Sequence, residues 1–135
     1  MRVRPETLVA LQHAMERILG MRAADCLVTG GRAALDRPPD GGGPRERVEA
    51  LLATLTRTGW GEFALERLTG TEMTVVVRRS AIAEAYGHAP VGVCHFIRGA
   101  LEALAPAALD RSARVRETAC LATGAPACRF EALLT

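Results

Sequence analysis

The stretch EFALERLTGTEMTVVVR, residues 62–78, decides the class of fold. Phe63 and Leu65 alternate with Glu62, Ala64 and Glu66, and Met73, Val75 and Val77 alternate with Glu72, Thr74 and Val76. A period of two belongs to a strand with one buried face. Gly70-Thr71 separates the two runs, so the stretch reads as a β-hairpin. A second hairpin is expected at the end of the chain. Its arms lie near 113–120 and 127–134, around the turn Ala122-Thr123-Gly124-Ala125-Pro126.

Elsewhere the period is helical. Over 5–19, Leu8, Leu11, Met15 and Ile18 share one face, with Pro5 suited to the first turn and Gly20 to the cap. The segment 22–35 reads as a second short helix broken at Gly30-Gly31, and DRPPDGGGP, residues 36–44, as a flexible loop. Over 45–58, Val48, Leu51, Leu52 and Leu55 form a face that Gly59 ends. A further helix is expected at 91–105, where Val93, Phe96, Ile97, Ala100, Leu101 and Leu104 cluster and Pro106 stops the run. Trp60, just past Gly59, is expected to pack under the sheet or to line a cavity. Two hairpins without a parallel crossover predict an α+β fold. The expected architecture is an antiparallel sheet of two β-hairpins packed against three or four helices, one helix inserted between the hairpins, as a single domain over 1–135.

Composition narrows the function. The 135 residues are 49% hydrophobic and 24% charged, the profile of a globular chain with a real core. All 17 basic residues are arginine, which excludes Schiff-base chemistry and a phosphate-loop lysine. A formal charge of +2 and 4% aromatics speak against a nucleic-acid partner or a base-stacking platform. No apolar run is long enough to cross a bilayer. Glu6, Gln12, His13 and Glu16 interrupt any secretory apolar region, so a cytoplasmic location and no membrane partner are expected. In that setting the four cysteines read as thiols or metal ligands rather than disulfides.

Three of those cysteines fall around the last helix and hairpin: Cys94, Cys120 and Cys128. Glu117 shares the core-facing parity of Val115 and Ala119, and Cys128 that of Phe130. A buried carboxylate is costly unless it is paired or binds a metal. Cys94, Glu117, Cys120 and Cys128 therefore make a candidate tetrahedral zinc set, closed and so structural. Glu117 and Cys120 are three residues apart and converge only if the strand bulges. His95 is a rival fourth ligand, and small buried thiols are the competing reading. Cys26 reads as a core residue, His13 as solvent-facing and His88 as part of a turn. No catalytic constellation is visible, and no residue is assigned a catalytic role.

The residues Pro90-Val91-Gly92-Val93-Cys94-His95-Phe96, then Gly99, Arg116-Glu117-Thr118-Ala119-Cys120, Gly124 and Cys128-Arg129-Phe130 resemble the 4-vinyl-reductase domain family, also described as hydrocarbon-binding domains. The resemblance implies a small-molecule-binding module, similar to the sensor domains of aromatic-responsive transcription activators. It also implies structural zinc on Cys94, Glu117, Cys120 and Cys128. Other members suggest reduction of a tetrapyrrole vinyl group or carriage of the pigment, and the fold is similar to that of assembly subunits of vesicle-tethering particles. Aromatic sensors carry a Ser-Trp-Glu run before the helix. Here the stretch is Ser80-Ala81-Ile82-Ala83-Glu84, which points away from phenol. An apolar or aromatic molecule in a pocket lined by Trp60, Phe63, Met73, Val75, Phe96, Ile97 and Leu101 is the expected partner. A stand-alone sensor of this kind would signal through a homodimer or a separate output protein.

Overall fold

The α+β expectation holds in the computed structural model, which describes residues 3–35 and 41–134. Part of the expected 36–44 loop, residues 36–40, lies outside the described residues. The elements are α1 (Pro5–Leu19), α2 (Arg22–Ala34), α3 (Pro44–Arg57), β1 (Glu62–Leu68), β2 (Met73–Arg78), α4 (Ala81–Tyr86), α5 (His95–Leu109), β3 (Ala113–Ala119) and β4 (Cys128–Leu134). The sheet is antiparallel in the order β1-β2-β4-β3, so β2 and β4 join the two hairpins edge to edge. Val75 lies opposite Leu65 on one side and Phe130 on the other.

One face of the sheet is covered by helices. Met73, Val75, Val77, Val115, Phe130 and Ala132 meet Val48, Leu51 and Leu52 of α3 and Ile97, Leu101 and Leu104 of α5 in one buried core. The other face carries charged pairs: Arg129 to Glu66 at 2.6 Å and Arg116 to Glu131 at 3.5 Å. That division is what the alternation in β1 and β2 anticipates.

The helices depart from expectation in four ways. First, there are five among the described residues, because α4 is too short to show a period. Second, α2 runs unbroken through Gly30-Gly31. A Cβ on Gly31 would strike the carbonyl of Phe96, and one on Gly99 the carbonyl of Val28. Small residues on both helices let α2 and α5 pack backbone to backbone, which outweighs the weak helix propensity of glycine.

Third, α5 starts at His95 rather than 91 and passes through Pro106 to Leu109. Pro106 forfeits one backbone bond, while Ala108 and Leu109 beyond it are buried. Fourth, α1 is rotated from the expected face. It buries Val9 and Gln12 and leaves Leu11 58% and Ile18 81% exposed. Gln12 faces inward because its amide donates to the Val93 carbonyl at 3.0 Å, satisfying a buried acceptor.

Candidate metal centre and adjoining cleft

Backbone irregularity builds the site. The β3–β4 register slips between Glu117 and Ala119, and this bulge brings Glu117 and Cys120 to the same side. Cys120 then caps a 3-10 turn, Leu121–Thr123, which Gly124 closes at φ 101. Cys128 begins β4 opposite Val77, and Cys94 is the N-cap of α5. One ligand atom from each of Cys94, Glu117, Cys120 and Cys128 lies within 4.8 Å of the others. This is the grouping that spacing and parity predict. The rival ligand His95 is outside it, with Nδ1 3.4 Å from Arg98.

The three thiols are buried, and all four cysteines of the chain are free. Glu117 Oε1 accepts the Cys94 backbone N–H at 3.3 Å, whereas Oε2 is buried with no hydrogen-bond partner. Two further residues, outside the candidate ligand set read from the sequence, support the cluster. Ser80, fully buried, has Oγ 3.2 Å from Cys94 Sγ and also caps α4 by accepting from Ala83 N–H. Gly92 lies flat against the Glu117 carboxylate, where a Cβ would not fit. A serine ahead of a short helix is a capping signal, but nothing in the sequence ties it to Cys94. The Leu121 N–H donates to Cys128 Sγ at 3.3 Å.

Charge in the cluster is confined. Hydrogen bonds from Cys128 and then Cys94 hold the Cys120 thiol down to about 2. Hydrogen bonding to Cys120 pushes Cys94 far up and Cys128 up to about 12. Burial, then the charge on Cys120, raises Glu117 to about 8. Without a cation these neighbours oppose one another's ionisation, as the raised Cys94, Cys128 and Glu117 show. A divalent cation would let all four ionise and would satisfy Glu117 Oε2. Three thiolates and one carboxylate suit zinc, with no ligand position left for substrate. The residues fit that ion.

On the far side of the α5 N-terminus is a cleft of about 660 Å³ between α1, α4 and the end of α3. Trp60 and Phe96 form its aromatic wall, ring centroids 4.9 Å apart, with Leu8, Ala81 and Ile82 beside them and Arg4 and Arg57 at the rim. Trp60 thus lines the cleft and also packs against the core. Of the other expected pocket residues, Met73, Val75, Ile97 and Leu101 lie in the core and Phe63 packs against it, none of them on this cleft. Arg4 and Arg57 have no sequence signal, because lone surface arginines carry no pattern. Cys26 is exposed on α2, not in the core, and borders a smaller apolar groove of about 250 Å³ with Leu11 and Met15. His13 is exposed and stacks on Tyr86 at 4.4 Å. Among the described residues no helix is long and apolar enough to cross a membrane.

Comparison with known proteins bears on the family and the fold. The model of the V4R domain matches residues 64–134, just over half the chain. The fold is similar to that of the phenol-responsive sensory domain of the transcription activator PoxR, solved with phenol. That match has a TM-score of 0.88 at 19% identity, over 99% of this chain and 76% of that one. It is also similar to a vinyl-4-reductase family protein from Methanocaldococcus jannaschii. Here the TM-score is 0.62 at 14% identity, over 81% of this chain and 68% of that one. No curated protein sequence matches this one.

Proposed function

The chain belongs to the V4R domain family, and on that footing we propose that it is a ligand-sensing domain. It binds an apolar small molecule in the cleft beside Trp60 and Phe96, and a structural zinc ion sits on Cys94, Glu117, Cys120 and Cys128. The observation that carries the reading is the position of α5. Its N-cap, Cys94, belongs to the metal cluster, and Phe96 walls the cleft. Zinc in such a site supplies no reaction; it ties the last hairpin to α5. Cys94 and Glu117 then hold the helix start fixed while Phe96 and Trp60 adjust to the ligand.

Signalling requires a ligand that binds one arrangement better than another. Leu8 and Ile82 line the cleft, so a ligand there bears directly on α1 and α4. The outer side of α1 and the turn after it expose Leu11, Ile18, Leu19 and Met21, apolar residues close together in sequence, of the kind that mark an interface. We assign that stripe to a homodimer whose contacts the ligand biases. A resemblance to a phenol sensor supports the class of activity and does not extend to phenol itself, because the stretch Ser80-Ala81-Ile82-Ala83-Glu84 carries no tryptophan.

Elemental analysis and native mass spectrometry of the same sample test this reading. About one zinc per chain, together with quenching of Trp60 on titration with naphthalene, is the expected result. Absence of metal with freely titrating thiols would overturn the zinc assignment. Unmoved Trp60 emission would overturn the cleft.

A further inference from the structure

The charge at the mouth of the cleft narrows the class of ligand, an inference that rests on the cleft being the binding site. Arg4 and Arg57 both line it, and no acidic residue does among those described. Six other arginines hold carboxylates: Arg32, Arg45, Arg67, Arg79, Arg116 and Arg129. Neither Arg4 nor Arg57 has a carboxylate partner among the described residues. Arg57 is steadied by Thr54 Oγ1 at 3.0 Å, which uses one of its five donors. It also complements the C-terminal end of α3, a role that leaves the remaining donors available.

Arg4, the second arginine on the lining, brings the same sign. Arg4 is the N-cap residue of α1, and no side chain caps that terminus. Glu6 in the first turn complements the positive end of that helix dipole, so the Arg4 guanidinium is the charge this terminus offers the cleft. Inward from this rim the wall is Leu8, Trp60, Ile82 and Phe96, which offer no charged group. A neutral hydrocarbon would fill the wall and leave two guanidiniums idle. A carboxylate on an apolar body uses both, since guanidinium donors match carboxylate geometry.

We propose that the cleft takes an apolar monocarboxylate, a fatty or aryl-alkyl acid, with its body against Trp60 and Phe96 and its carboxylate between Arg4 and Arg57. Charge-assisted bonding makes the acid bind about tenfold tighter than its alcohol, a difference of about 1.4 kcal/mol.

Trp60 is the one tryptophan of the chain and serves as the reporter. The full chain is titrated with decanoate, decanol and decylamine, following Trp60 emission. The expected order is acid, then alcohol, then amine. Arg4→Gln and Arg57→Gln each shrink the gap between acid and alcohol, whereas Arg111→Gln, an exposed arginine away from the cleft, leaves it intact. Thermal melts of each variant confirm the fold. If decanol binds as tightly as decanoate, the carboxylate assignment is overturned while the cleft stands. If Arg111→Gln narrows the gap equally, bulk charge is the cause and the assignment falls. If none of the three ligands moves Trp60 emission, both the assignment and the cleft fall.

Discussion

Cys94 and Phe96 are two residues apart at the start of α5 and serve different places. The Cys94 thiol lies 3.8 Å from Cys128 Sγ, inside the metal cluster, while the Phe96 ring sits 4.9 Å from Trp60 at the cleft. A residue step of two turns a helix by about 200°, so one short stretch serves both sides. Whatever loosens the cluster must therefore be felt by Phe96.

Cys128→Ser tests that link. It is expected to release the metal, to destabilise the domain by about 3 kcal/mol, and to shift Trp60 emission although Trp60 is not one of the four cluster residues. Cys26→Ser, at an exposed thiol on α2, is expected to change neither metal content nor emission. Elemental analysis, urea unfolding and fluorescence of the two variants decide it. Loss of metal with unchanged Trp60 emission would separate the two sites.

The glycines of the α2–α5 crossing should differ sharply. A Cβ at Gly31 or Gly99 meets backbone of the facing helix, which cannot give way, so Gly31→Ala and Gly99→Ala should each cost about 3 kcal/mol. Gly30, one residue away, would place its Cβ 3.4 Å from the Phe96 ring, an ordinary contact. Gly30→Ala should then stabilise by up to about 1 kcal/mol through helix propensity alone. Equal costs at Gly30 and Gly31 in chemical unfolding would contradict the close crossing.

Those glycines also show why the fold is legible in the sequence only in places. Met73, Val75 and Val77 are buried as their period of two predicts, although Thr74 between them is buried too. The parity of Glu117 exposes the candidate ligand set in the same way. Local propensity predicts a helix break at Gly30-Gly31, and tertiary packing overrides it. The inward turn of Gln12 has no local signal, because its partner, the Val93 carbonyl, is 81 residues away in sequence. Apolar composition does not separate a cleft wall from a core, so Trp60 and Phe96 group with Ile97 and Leu101 until the fold parts them. The bulge at Glu117 enters the sequence argument only as the condition that lets Cys120 join the set.

Glu102 guards the edge of the sheet. It is 6% exposed, accepts the outward Val115 N–H of edge strand β3 at 3.0 Å, and accepts from Arg32 Nε at 2.7 Å. This side chain occupies one outward donor of an edge strand, a group otherwise open to pairing with another chain. Glu102→Gln keeps an acceptor for Val115 and should cost about 1 kcal/mol; Glu102→Ala strands the N–H and should cost about 3 kcal/mol. Urea unfolding of the two variants measures the difference. Equal costs would mean the bond to Val115 contributes nothing to stability.

The exposed stripe on α1 makes the last prediction. Ile18 is 81% exposed and Met21 95%, with Leu11 and Leu19 nearby in sequence, while the inward face of α1 is already occupied by Val9 and Gln12. A second copy of the chain would bury this apolar surface, and each large side chain removed from water contributes about 1.5–3 kcal/mol. Ile18→Arg places a charge there without touching the core, so the fold should persist and the dimer should dissociate. Light scattering gives the mass and a thermal melt gives the fold. A wild-type chain that scatters as a monomer, or an Ile18→Arg variant that scatters as the same dimer, would remove α1 from the interface.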